Sequence, residues 1–411
     1  MHNCIERTFY LNIQAELADL PAKAASLNMK QFNDKFGCSI CNHPGQKLAP
    51  RSLVRIYPFQ EQRYVCRTSQ DVILHADAAQ QSGEPFFGIK GKSVVLDILK
   101  VPDKLPLDYM HLVLEGELKR KVKKFITISN HYLLREDIEQ INKVILNMKL
   151  PHDFNKKIPL FTEKGCRKAK AGEMQVLLLH VLLPLIKGYL PKENYCHLGL
   201  LVTSMQLLNQ DVCNEDDVSL SEKLLEHYQR MNAHLYGDQE QTYTNHALIH
   251  LPAQRRIHGA PLVLMSNFVF EGFIATIKRQ YHGSRGYIQQ MIRNIGKLQN
   301  VKLLKHYIPE GSQLQPIVKH LLREKTTSRK EVGSDMYLLG KIMDEAPTVP
   351  NFQTPNVIQE FFESKNTIYA SRLNSGNQVY HSLCYNRRGN SNSYMVAWRD
   401  FMAQKICFKY L

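Results

Sequence analysis

Four residues carry the clearest chemistry in the chain: Cys38, Cys41, His246 and His250. The CSIC turn sets two thiolates about one ion diameter apart, so both can reach a single metal. In NHALIH the histidines stand at i and i+4, which places them on one face of a helix. Together they make a tetrahedral Cys2His2 set suited to structural zinc. The two halves are 205 residues apart, far more than in a zinc finger. Such a site closes a very large loop, and metal binding must offset the closure entropy. His43 and His258 lie close by in sequence and are rival ligands.

Carboxylates form the second group. Asp19 ends a run in which Phe9, Leu11, Ile13, Ala15 and Leu17 alternate with mostly polar residues, which predicts a half-buried strand. Pro21, just past it, predicts a helix start. Glu271 falls one turn into a predicted helix with an apolar stripe of Phe270, Phe273, Ile274 and Ile277, beside Lys278 and Arg279. Carboxylates at a strand end and on a facing helix can hold Mg2+ for phosphoryl transfer. The DYMH motif adds Asp108 and His111: Asp108 is either a catalytic aspartate in place of Asp19, since an acidic residue beside a histidine suits metal or DNA contact, or a helix cap, the commoner use. Downstream, Lys119, Arg120, Lys121, Lys123 and Lys124 could track a phosphate backbone. Five cations in so short a run cannot share one helix face, so part of the run is expected to be solvated surface.

The elements that must position these groups follow from periodicity. From about Ser93 to Leu235 apolar residues recur at three- and four-residue spacing, the pattern of helices. Met174 to Ile186 is the most apolar stretch, too short to span a membrane and better read as a buried helix. NHALIHLP is expected to end at Pro252. A long helix is expected from about Phe268 to Leu298, with a break at HGSRG, and a basic helical segment near Val318 to Lys330. The last stretch, rich in Tyr, Val, Ile and Ser with turn signals at NSGN and RRGNSN, predicts a small β module.

Composition bounds the function. The chain has 411 residues, 44% of them apolar and 22% charged, as in ordinary globular proteins. Its nine cysteines, with one tight pair, argue against a disulfide framework and for a metal knuckle in a reducing compartment. A net charge of +15 points to a polyanionic partner, most simply nucleic acid. Neither a membrane span nor a signal peptide is expected.

Taken in order, Asp19, then CxxC, then a long helical insertion, then HxxxH, then Glu271, the chain resembles the CACTA, Mirage and Chapaev group of DNA transposases. It is similar in motif order to the recombinase that performs V(D)J joining. The stretches ADLPAKA, NMKQFNDKFGCSICNHPG, GIKGKS, LPLDYMHLVLEG, HLGLLVTSMQLLN, NHALIHLP, FVFEGFIATIKRQYHGSRG and RLNSGNQVYHSLCYNRRGNSNSY resemble CACTA-type transposases of animals, so the likeness covers nearly the whole chain.

The resemblance implies an α/β fold with an RNase H-like core and a DDE triad holding Mg2+ or Mn2+, which activates water or a 3′-hydroxyl against a DNA phosphodiester. Asp19 matches the second aspartate and Glu271 the glutamate, while Cys38, Cys41, His246 and His250 match the Zn2+ ligands. No aspartate precedes Asp19, so the core is expected to be partial, with its first strands missing and catalysis impaired. The expected divisions are residues 1–37, a core remnant; 38–250, the zinc knuckle and helical insertion; 251–330, the region of the Glu271 helix; and 331–411, the C-terminal β-rich module. Expected DNA contacts are Lys119, Arg120, Lys123, Lys124, Lys278 and Arg279. DNA as partner, a homo-oligomer, no membrane and a nuclear location complete the expectation. The alternative is a non-catalytic, zinc-stabilised DNA- or protein-binding relic.

Overall fold

A computed structural model of the protein describes residues 12–148, 150, 156–278, 285–309, 311–322, 329–333, 336–343, 369–375 and 378–381. The fold is mixed α/β and mostly helical. The chain divides into two units: Met1–Leu146 with Lys156–Phe273, and Asn147–Asn155 with Ile274–Leu411. Most of residues 1–250, expected as core remnant and insertion, and the start of the Glu271 helix therefore fall in the first unit.

The expected first strand does not form within the described residues. Residues 12–19 form neither helix nor ladder, Glu16 N–H donates to the Lys104 carbonyl at 2.9 Å, and Ile13 stays exposed. Alternation specifies a strand only where a neighbouring strand can pair with it. Phe9 and Leu11 lie outside the described residues. The first unit contains, among its described residues, one two-stranded antiparallel ladder, β1 (Gln46–Lys47) with β2 (Arg55–Ile56).

Helix α1 (Leu20–Ser26) starts as Pro21 predicts, with Asp19 as its cap. It buries Ala24 in a cluster with Leu27, Met29, Ile89 and Val101, joined by Val72 and Ala76 of α2 (Ser69–Ser82). A Thr68/Asp71 capping box starts α2, and Gly83 at φ 73° ends it. Lys23 of α1 is fully buried and donates to the Leu105 and Pro106 carbonyls, which ties α1 to the segment just before Asp108.

In the insertion, a π-helical stretch Met110–Leu118 runs directly into α3 (Lys119–Ile126). Farther on, α4 (Lys192–Leu208) and α5 (Glu215–Tyr236) pack on each other. They bury Leu201, Val202 and Met205 from α4, and Leu225 and Tyr228 from α5. The apolar stretch at Met174 lies within the helix Ala171–Ile186; among the described residues no single helix is long and apolar enough to cross a membrane.

Thr242 caps α6 (Tyr243–Ala247), a tight turn Leu248–His250 follows, and α7 (Leu251–His258) starts with Pro252 in its first turn. Pro252 thus opens a helix where the sequence suggested an end, since the first turn needs no proline N–H. Gly116 lets the Met110–Leu118 stretch approach α6: a Cβ there would lie 2.9 Å from Thr244 Cγ2 and 2.8 Å from the His111 carbonyl oxygen.

Much of the basic run on α3 is paired within the protein, and Lys121 is buried. Lys121 and Glu117 are buried and 3.5 Å apart. Lys121 also donates to Asn232 Oδ1 at 2.6 Å, and Tyr228 OH donates to Glu117 at 2.8 Å. Arg120 and Lys124 both pair with Glu240, at 2.7 and 3.1 Å.

The second unit carries α8 (Phe268–Lys278) from its second half onward, α9 (Tyr287–Lys305) and α10 (Leu314–Leu321). It also holds a four-stranded antiparallel sheet in the order β3 (Arg329–Gly333), β4 (Met336–Met343), β5 (Tyr369–Ser375), β6 (Gln378–His381). The β module is thus present and starts at Arg329, inside the expected basic helical segment. Residues 382–411, with the RRGNSN turn, lie outside the described residues.

Removing one member of a buried ion pair leaves the other uncompensated. Lys121→Met should cost about 3–5 kcal/mol in denaturant unfolding, and Glu117→Gln combined with it should cost less than Lys121→Met alone.

Candidate functional site

Cys38, Cys41, His246 and His250 converge. All four are buried, and their ligand atoms lie within 4.8 Å of one another. Cys38 Sγ is 3.7 Å from His250 Nε2, Cys41 Sγ is 3.4 Å from His246 Nε2, and the two Nε2 atoms are 3.4 Å apart. A tetrahedral ion at ordinary Zn–S and Zn–N lengths would set sulfur and nitrogen about 3.6 Å apart and two nitrogens about 3.3 Å apart. These three distances match those of one tetrahedral metal ion. Among the described residues it is the only such group of three or more His, Cys, Asp and Glu side chains.

Local structure explains the placement. Gly37 precedes the knuckle where a Cβ would sit 2.1 Å from the Gln31 carbonyl oxygen, so the chain can enter only as glycine. Arg67, buried and unremarkable in sequence, holds the turn: its guanidinium donates to the carbonyls of Cys38 (3.0 Å), Cys41 (3.2 Å), Phe36 (3.2 Å) and Phe87 (2.8 Å). It also sets a positive charge beside the thiolates. On the other half, the His246 ring stacks on Tyr57, with centroids 5.2 Å apart. Gln229 of α5 places its amide nitrogen 3.5 Å from His246 Nδ1, and its amide oxygen has no hydrogen-bond partner. With the amide turned over, that oxygen would accept from Nδ1–H and fix the tautomer that leaves Nε2 free for a metal.

His43 is not a fifth candidate, because both its nitrogens are engaged. Nδ1 accepts from Gly45 N–H at 2.9 Å and Nε2 meets the Pro58 carbonyl at 3.1 Å. Burial, reinforced by the charge of His246, pushes it down to about 4. His258 ends α7, outside the cluster.

The electrostatics suit a metal. Burial works against the Cys38 thiolate, yet hydrogen bonds from Cys41, His246 and His250 hold its pKa well below the ordinary thiol range. Cys41 is pushed up, first by its hydrogen bond to Cys38 and then by burial. For His250, burial is outweighed by Cys38, which lifts it to about 9. A cation entering this site displaces protons from Cys41 and His250, so binding weakens as pH falls.

A second constellation joins Asp108, His111 and Glu271. Buried Asp108 accepts from Met110 N–H at 3.1 Å, capping the helix as its residue type favours. It also accepts from Asn267 N–H at 2.9 Å and Asn267 Nδ2 at 3.1 Å, and pairs with His111 Nδ1. His111 Nε2 in turn lies 3.6 Å from Glu271 Oε1. Desolvation opposes the Asp108 carboxylate, but the His111 and Asn267 hydrogen bonds hold it below its usual range; the same Asp108 contact raises His111.

Asp19 occupies a different role. Its Oδ1 accepts from Ala22 N–H at 2.8 Å, so it caps α1. What the described geometry brings to Glu271 is the Asp108–His111 pair. Lys119 donates to the Ala169 carbonyl at 3.0 Å, while Lys123 and Lys278 are exposed. Arg279 lies outside the described residues.

Comparison of the chain with protein-family models, curated proteins and solved structures finds no match.

Metal analysis of the purified chain should find about one ion per chain, by the four-ligand rule. Cys38→Ser and His250→Ala should lose it, and Arg67→Met should weaken it about ten- to a hundredfold in a chelator competition, as outer-shell losses do.

His111 carries a raised pKa, so its stabilising contact is full below the unfolded value of about 6.5 and is lost as pH rises through the folded value. In NMR titration its ring should titrate above about 6.5, and Asp108→Asn should bring it down.

Proposed function

We propose that the chain is a transposase-like DNA-binding protein of DDE lineage, held together by a structural zinc ion and impaired in cleavage. The observation that carries this is the Cys2His2 cluster, which joins residues 205 positions apart at the two ends of a helical insertion. Two thiolates and two imidazoles in a closed, buried tetrahedron are the donor set of structural zinc, with no open position for a substrate. Closing the intervening loop costs about 5 kcal/mol on the logarithmic term. Zinc binding of about 10–16 kcal/mol exceeds that.

The order of aspartate, knuckle, insertion, histidines and glutamate supports descent from CACTA-type transposases with an RNase H-like core. Impaired cleavage is supported by the duties of the two carboxylates: Asp19 caps a helix and Glu271 faces His111. Binding without cleavage is supported by the net charge of +15. Zinc here supplies structure: it fixes α6 and α7 against the knuckle, and so sets the origin of the chain segment that reaches Glu271. On this proposal the protein acts on DNA in the nucleus, as a homo-oligomer.

The test uses the full chain with labelled duplex DNA and either Mg2+ or Mn2+. Elemental analysis should identify zinc, a gel shift should show binding, and no nicked product should form. Nicking that disappears on Glu271→Ala or Asp19→Ala would establish a working enzyme instead. Absence of any shift would remove the DNA-binding function.

A further inference from the structure

A groove of about 1020 Å³ crosses the first unit beside α3, and none of the contacts described above accounts for it. Its lining includes Lys119, Arg120 and Lys123 from α3, with Lys164 and Arg167 from the short helix Glu163–Lys168. Apolar and aromatic groups line it too, among them Phe32, Leu53 and Tyr243. Leu53 is 95% exposed and open to any occupant of the groove.

Not every cation here is available. Arg120 is matched by Glu240, and Lys119 donates to the Ala169 carbonyl. Lys123, Lys164 and Arg167 are exposed, and none of them forms an ion pair among the described residues. Glu115 and Glu163 also line the groove, so the lining set of six cations, Arg55 included, keeps a surplus of positive charge.

Its size helps choose the occupant. Sites for small ligands span about 300–1,000 Å³ and are mostly apolar with a few polar groups. This groove lies at the upper end of that range, and its charge comes from two separate helical elements. A polyanion with regularly spaced charges satisfies cations distributed in this way, and a phosphodiester backbone supplies both phosphates and less polar sugar edges.

We infer that this groove binds a nucleic-acid backbone, with Lys123, Lys164 and Arg167 as its phosphate contacts. The inference rests on the DNA-binding function proposed above and assigns it a surface; two of the three contacts lie outside the basic run on α3.

The experiment compares the full chain with the triple variant Lys123→Gln, Lys164→Gln, Arg167→Gln. Fluorescence anisotropy with a short labelled duplex is followed as salt is raised, with polyglutamate of matched charge as competitor. All three side chains are exposed, so metal content and melting temperature should be unchanged in the variant. Loss of three phosphate contacts should flatten the slope of log K against log salt by about 2–3 and weaken binding about a hundredfold near 0.1 M salt. An unchanged slope and affinity would overturn the groove assignment and leave DNA binding standing elsewhere. No binding by the unmodified chain would overturn the proposed function and this inference together. Polyglutamate that displaces the duplex at equal charge concentration would make the occupant an acidic protein segment and overturn the nucleic-acid inference.

Discussion

The contact of two sulfurs with two imidazole nitrogens is what the first unit is built around. It joins a glycine-entered turn near the start of the chain to a helical corner more than half the chain away. Everything between must fold so that the corner arrives at the turn. Arg67 reaches back to hold the knuckle carbonyls, Tyr57 lies flat on His246, and α5 brings Gln229 behind the same ring. An ion bound by all four would make these separate preferences conditional on one another.

Charge in this protein has two populations. A surplus of cations reads from composition as a single property, yet the structure separates cations that neutralise internal acids from cations that face solvent. Glu240 gathers Arg120 and Lys124, and Glu117 with Asn232 encloses Lys121, so the α3 run helps hold α3 to α5. Lys123 in the same run points elsewhere and lines the groove. Adjacent lysines thus differ in function through helical periodicity, about 100° per residue.

The metal cluster was legible in sequence only as a set: a CxxC alone is often two core cysteines and an HxxxH alone two surface histidines, but together they complete four ligands. Helices of the insertion were legible from their periodicity, and the C-terminal strands from β-branched and aromatic residues between turns. Other features depended on partners the sequence does not display. The run ending at Asp19 alternates like a strand but finds no ladder, and Pro252 opens a helix because the turn before it is already tight. Arg67 and Gln229 carry no local signature at all; only the approach of distant segments gives them their roles. Asp108, His111 and Glu271 were each legible as candidates, but their association was hidden for the same reason, since the two carboxylates lie 163 positions apart.

The distance along the chain between knuckle and histidines also sets a schedule for biosynthesis. Cys41 leaves the ribosome 205 residues before His246. At about 5–20 residues per second the thiols wait roughly 10–40 s before their partners exist. During that interval the knuckle offers two cysteines to any metal carrier or oxidant, without the buried surroundings that later protect them. The nascent chain is therefore where these two thiols are most open to oxidation.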